Sequence, residues 1–146
     1  MAKTALITGA TSGIGKATAI AFAEEGFNLI LCGRRKEELL KLQKRLEETV
    51  EIHGLVFDVS VKKQVFEAIQ SLPEEFQKID ILINNASAIN LVPTEQTETK
   101  RFDLMHGINV RGTFFTSKAC IPYLKKAHNP HILNLSPPLN MDPGWF

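Results

Sequence analysis

Short apolar runs alternate along the chain with longer amphipathic stretches, and the two patterns predict different elements. Residues 3–8, 28–32, 52–57, 80–84 and 131–136 are five- or six-residue segments with apolar or β-branched centres, the length of a buried strand. Between them, helical periodicity runs over about 13–25, 36–48, 61–71 and 99–127. Leu39, Leu42 and Leu46 form one stripe of the second helix, and Val65, Phe66 and Ile69 mark the third. Gly26 stands where the first helix needs a C-terminal cap. Ser71-Leu-Pro-Glu74 reads as the cap of a short further turn, and Gly107 and Gly112 are candidate breaks in the longest helix. A polar loop reaches to about residue 97, and the tail 137–146, with three prolines, reads as loop. Apolar strands joined by helical crossovers make a parallel sheet covered on both faces. The expected fold is α/β, a Rossmann-type doubly wound sheet formed as one domain over residues 1–146. In such sheets ligands bind beyond the carboxyl ends of the strands.

Composition narrows the class. With 44% apolar and 23% charged residues in 146, the chain is globular and long enough for one core. A formal net charge of +1 provides no global field for nucleic acid or an anionic membrane, so anions must be bound locally. No apolar run reaches bilayer-spanning length, and neither end carries a signal-peptide or lipidation pattern. Cys32 and Cys120 sit in apolar segments and read as buried, reduced thiols of a cytoplasmic protein. The histidines at 53, 106, 128 and 131 show no metal-ligand spacing.

The candidate chemistry begins after the first strand, where Thr8-Gly9-Ala10-Thr11-Ser12-Gly13-Ile14-Gly15 leads into a helix. One glycine permits the tight turn, one lets backbone approach a diphosphate, and one lets the helix pack on the strand. The helix N-terminus then offers its N–H groups to the anion. A structural turn without ligand is the plainer alternative, but the placement between strand and helix favours binding. A Walker-type loop at Gly15-Lys16 fails, because five residues separate Gly9 from Gly15 and Ala17 replaces the magnesium-binding hydroxyl.

The spacing in TGATSGIG resembles the fingerprint of the short-chain dehydrogenase/reductase family, and later segments agree in order. Asp58-Val59 resembles the family's adenine-contacting pair. Asn84-Asn85-Ala86-Ser87 resembles its NNAG motif, with serine in the glycine place. Ile108-Asn109-Val110-Arg111-Gly112 and Ile132-Leu133-Asn134-Leu135-Ser136 resemble its mid-helix asparagine segment and its serine-bearing strand. Residues 1–85 are similar to NADP-dependent serine-type, hydroxy-acid dehydrogenases, and residues 86–146 to hydroxysteroid dehydrogenase-like proteins. One divergent lineage and a chimera both fit.

The resemblance implies strand order 3-2-1-4-5 and a dinucleotide held by Gly9, Thr11, Ser12, Gly13, Ile14, Gly15, Asp58, Val59, Asn85 and Ala86. Asp58 could instead cap a turn, and Asn85 could satisfy local backbone. The residues themselves speak to the choice of dinucleotide. The second strand ends Cys32-Gly33-Arg34-Arg35, with no acid before Glu37 to accept ribose hydroxyl bonds, which disfavours NAD. Guanidinium groups on Arg34 and Arg35 suit the 2′-phosphate of NADP, although one of them could be only the solvated start of a helix.

For catalysis the resemblance implies a Tyr-x-x-x-Lys pair, a serine and an asparagine, acting on a small carbonyl or alcohol. The candidates are Asn109 and Ser136; the family's usual second serine is replaced by Pro137. The sole tyrosine, Tyr123, is followed four residues on by Ala127, and it reads as helix-end packing. The expectation is therefore a chain truncated before its acid catalyst and lacking the family's last strands. Its fifth strand and 99–127 helix would be left open to self-association. Three functions stay in play: an NADP(H)-dependent oxidoreductase, a non-catalytic NADP(H)-binding module (pseudoenzyme or engineered Rossmann fragment), and an interaction domain without ligand.

Overall fold

The structure, a computed structural model, describes residues 2–89 and 92–136. Five strands form one sheet: β1 (Thr4–Thr8), β2 (Asn28–Gly33), β3 (Ile52–Val56), β4 (Ile81–Asn84) and β5 (His131–Asn134). Every pairing is parallel, as the pattern of strands and crossovers predicted, and the order is β3-β2-β1-β4-β5, as the resemblance implied. Leu6 sits in register with Ile30 on one side and Leu82 on the other. Because side chains alternate along a strand, each central strand feeds two cores. Leu6, Ile30, Cys32 and Leu82 face a core completed by α3 (Lys62–Gln70) and α5 (Thr113–Leu124). Ala5, Ile7, Leu29, Leu31 and Ile83 face a second core under α1 (Gly13–Glu24) and α2 (Lys36–Leu46). Burying a Leu or Ile contributes about 1.5–3 kcal/mol, so these two layers hold the sheet in its covered form.

Local chemistry sets the element ends. Gly26, at φ 75°, closes α1 with bonds from Gly26 N to Ala23 O and from Phe27 N to Phe22 O, each 3.0 Å. The Phe22 and Phe27 rings stack edge-on at 4.8 Å, supplying the hydrophobic contact of this cap. Asp80 joins the amino ends of three strands: its carboxylate accepts from Thr4 N, its N–H donates to Thr4 O, and its carbonyl accepts from His131 N, all at 2.9 Å.

One expectation about the helices is corrected. Ser71 does not cap the turn at Glu74–Phe76; its hydroxyl donates back to Ala68 O at 2.8 Å, closing α3, while Pro73 precedes the turn. The loop after β4 contains a 3-10 turn, Thr94–Gln96. The expected interruption of the longest helix does fall at Gly107 and Gly112. α4 (Thr99–His106) runs into α5 through a π-helical segment, Gly107–Gly112, whose two glycines are both buried. The expected tail loop, with Pro137, lies outside the described residues. The edge strand β5 is exposed along all four residues, with Ile132 at 42% and Leu133 at 49%. No described helix is long and apolar enough to cross a membrane.

Candidate functional site

The carboxyl ends of β1, β2, β3 and β4 open onto one cavity of about 660 Å³. The first wall is the turn after β1. Gly9 adopts φ 65°, and a Cβ on it would stand 2.9 Å from Ala86 Cα, so both its conformation and its closeness to the next loop demand glycine. At Gly15 a Cβ would overlap Asn85 Nδ2 and Gly9 O, which brings the start of α1 against the turn. Ala10 N donates to Cys32 O at 3.0 Å, fixing the turn on β2. Ser12 precedes α1 without a side-chain capping bond, so the helix keeps its first N–H groups for an anion.

Thr8 is the hub that joins this turn to the loop after β4. Its buried hydroxyl accepts from Asn85 N and Ala86 N, both at 3.0 Å, and donates to Ile83 O at 3.4 Å. The Asn85 side chain answers by donating to Thr8 O at 3.0 Å and Gly9 O at 3.2 Å. Asn85 thus satisfies local backbone and also lines the cavity. Beside it, Asn84 Nδ2 donates to Ser117 Oγ at 3.0 Å and Asn134 Oδ1 at 2.9 Å, tying α5 and β5 to β4.

The charged wall follows β2. Arg35 donates to Thr11 Oγ1 through Nη2 at 2.9 Å and Nε at 3.3 Å, and Arg34 Nη1 lies 3.5 Å from Asp58 Oδ2. Asp58 also caps its turn, accepting at Oδ1 from Ser60 N at 2.9 Å and Ser60 Oγ at 2.7 Å. Partial burial alone would raise its pKa, but the two Ser60 bonds and the Arg34 guanidinium outweigh it and hold the carboxyl below its ordinary value. Burial, with Cys120 nearby, pushes the Cys32 thiol well up, and burial pushes Cys120 up to about 12. Both thiols are therefore protonated at neutral pH.

Gly9, Thr11, Ser12, Gly13, Ile14, Arg34, Arg35, Asp58, Val59, Asn85 and Ala86 all line the cavity. Gly15 lies behind it, against Asn85 and Gly9. The two catalytic candidates do not line it. Asn109 is in the π-helical segment, where its side chain accepts from Ala88 N and donates to Ala88 O, each at 2.8 Å. Ser136 is exposed, two residues beyond the end of β5. Tyr123 packs against the core beneath α5, with Lys126 Nζ 5.3 Å from its ring. The lining adds Cys32, Gly33, Phe57, Ser87 and Ile108. Four of these adjoin motif residues at strand ends, and Ile108 adjoins Asn109, so the signal was their position rather than their chemistry.

Residues 3–143 match the family model for short chain dehydrogenases. The chain belongs to the short-chain dehydrogenase family. Hydroxysteroid dehydrogenase-like protein 2 of Danio rerio is 48% identical over 151 aligned residues, covering 98% of this chain and 36% of that protein. The chain thus spans about a third of the length of this curated relative, and the match runs through both halves of the sequence. A short chain dehydrogenase from Mycobacterium thermoresistibile superposes with TM-score 0.87 at 42% identity, covering 98% of this chain and 54% of that one. Two further similar structures carry different dinucleotides. Serine dehydrogenase complexed with NADP+ has TM-score 0.81 at 32% identity, covering 90% of this chain and 52% of that one. NAD+-bound xylitol dehydrogenase has TM-score 0.84 at 34% identity, with the same coverages. A short-chain dehydrogenase fold implies a nicotinamide dinucleotide, and the cavity fits one: the glycine turn admits close backbone approach, and two guanidinium groups line the same space.

Proposed function

We propose that this chain is the NADP(H)-holding part of a short-chain dehydrogenase/reductase acting on a small carbonyl or alcohol. When bound, the nicotinamide supplies the hydride. The observation that carries the NADP reading is the pair Arg34 and Arg35 on the cavity wall after β2, with no acid until Glu37 on α2. A carboxylate at that place would accept bonds from the ribose hydroxyls of NAD, whereas guanidinium groups pair with a 2′-phosphate. Arg35 is held by Thr11, while Arg34, its side chain 65% exposed, touches Asp58 through Nη1 and keeps further donors for an incoming phosphate. Dinucleotide fluorescence titration of Arg34→Asp tests this: NADPH should weaken more than NADH, and an unchanged ratio removes Arg34 from the site.

A second reading, a binding module without catalysis, is favoured by the position of Asn109 and Ser136, neither of which lines the cavity. In the first reading Ser136 and Asn109 are the catalytic candidates. Asn109 keeps its side chain on Ala88, so its part is to hold the loop after β4. A steady-state NADPH-oxidation assay against simple carbonyls separates the readings, because turnover by these residues alone would refute the second. The exposed apolar residues of β5 and α5, Leu133 and Phe114 among them, support self-association across that face. A clean monomer by size exclusion would refute it. A cytoplasmic location completes the proposal and rests on the two buried, free thiols, while the near-neutral charge speaks against nucleic-acid or membrane partners.

A further inference from the structure

The π-helical segment Gly107–Gly112 touches both loops that frame the cavity. Asn109 holds Ala88, in the loop after β4, with two bonds of 2.8 Å. On the other side the segment packs on the turn after β3 through its two buried glycines. A Cβ on Gly107 would meet Ser60 Cβ at 3.6 Å, an ordinary contact. A Cβ on Gly112 would stand 2.8 Å from Val59 Cγ2, 3.0 Å from Val59 Cβ and 3.3 Å from Val59 O. Gly112 is therefore the tight contact, and Val59 is both buried and part of the cavity lining. Side chain and backbone of Val59 crowd the same spot, so a rotamer change alone does not relieve the overlap. Ile108, from the same segment, lines the cavity directly. A π turn placed between two such contacts is a common device at functional sites.

We infer that Gly112 is a positioning residue for the dinucleotide site, acting through Val59, and that the π-helical segment sets the width of the cavity. The inference rests on the dinucleotide-binding reading above. It also reverses an ordinary sign. Alanine for glycine inside a helix normally stabilises, because glycine is the poorer helix former. Here the added methyl displaces a cavity wall that NADPH and NADH share.

The test is fluorescence titration of NADPH and NADH against wild type, Gly112→Ala, Val59→Ala and the double variant, with urea midpoints reporting structural cost separately. Gly112→Ala should weaken both dinucleotides by the same factor, about tenfold or more, which corresponds to about 1.4 kcal/mol. The double variant should recover most of that loss, because the two residues share one space and their effects do not add. If Gly112→Ala does not fold, the comparison moves to Val59→Ala and the double variant, where the alanine methyl refills the space and restores affinity a few-fold. Wild-type affinity in Gly112→Ala, additive losses, or equal affinities in that second pair would overturn the inference alone. Loss of only one dinucleotide would do so too, by placing the effect at the 2′ position. No saturable binding by wild type would overturn the dinucleotide reading and this inference together.

Discussion

Replacing Thr8 by valine keeps the shape of a buried side chain and removes its hydroxyl. That oxygen accepts from Asn85 N and Ala86 N at 3.0 Å each, and Thr8 itself is 1% exposed. An orphaned buried donor costs about 1–3 kcal/mol. Both donors lie in a half-buried stretch, so each belongs near the lower end of that range, and Thr8→Val should destabilise by about 2–3 kcal/mol. Thr8→Ser keeps the oxygen and gives up one methyl, a loss of about 1 kcal/mol. Urea denaturation followed by circular dichroism reads both, with the slope checked for constancy so that the midpoint reports stability. Asn85 and Ala86 line the cavity, so Thr8→Val should also weaken dinucleotide binding while Thr8→Ser does not. A Thr8→Val protein as stable as Thr8→Ser would refute the hub, and the hydroxyl would then be an ordinary buried group with interchangeable partners.

Two further outcomes follow from the ionisable groups. The carboxyl of Asp58 has a lowered pKa in the folded chain, so it contributes stability above its unfolded value of about 3.9 and loses it as pH falls through the lowered one. Asp58→Asn should therefore flatten the acid limb of urea midpoint against pH in that window, and an unchanged limb would contradict the assignment. Cys32 and Cys120, buried with raised pKa values, should resist a disulfide reagent in the native protein and react on unfolding; fast native labelling of either would contradict the burial.

Much of this architecture was legible in the residues because it rests on periodicity. Ala5 to Thr8 and Leu29 to Cys32 are apolar at every position or nearly so, as strands covered on both faces must be. The glycine turn was legible because steric demand at Gly9 and Gly15 leaves no other residue type. What escaped depended on contacts distant in sequence. Gly107 and Gly112 were legible as an interruption of the α-helix, but its π-helical form and the Val59–Ser60 turn packed against it were not. Ser71 matched a capping pattern for the following turn, yet its hydroxyl donates to the preceding carbonyl of Ala68. Thr8 looked like the last residue of a strand. Its role arises from backbone N–H groups 77 and 78 positions away, which no local pattern displays. Asn109 was legible as a position of interest, but its reciprocal pairing with Ala88 was not.

The arginine wall also has a limit set by its own counter-ion. Arg34 faces Asp58 across 3.5 Å, so a bound 2′-phosphate must share that guanidinium with a carboxylate. With the Arg34 side chain 65% exposed, solvent screens the pair and it gives up little when a stronger acceptor arrives. On the proposed reading, a preference for NADPH would come from an added charge-assisted bond rather than from exchange of one strong pair for another.

The measurement that bears most directly on the central claim is calorimetric titration of the unmodified chain with NADPH and with NADH under one buffer and salt condition. The account predicts one site per chain for both, with NADPH the tighter and its advantage shrinking as salt rises, because charge pairing supplies the difference. Equal affinities, tighter NADH, or no saturable heat at millimolar dinucleotide would contradict it.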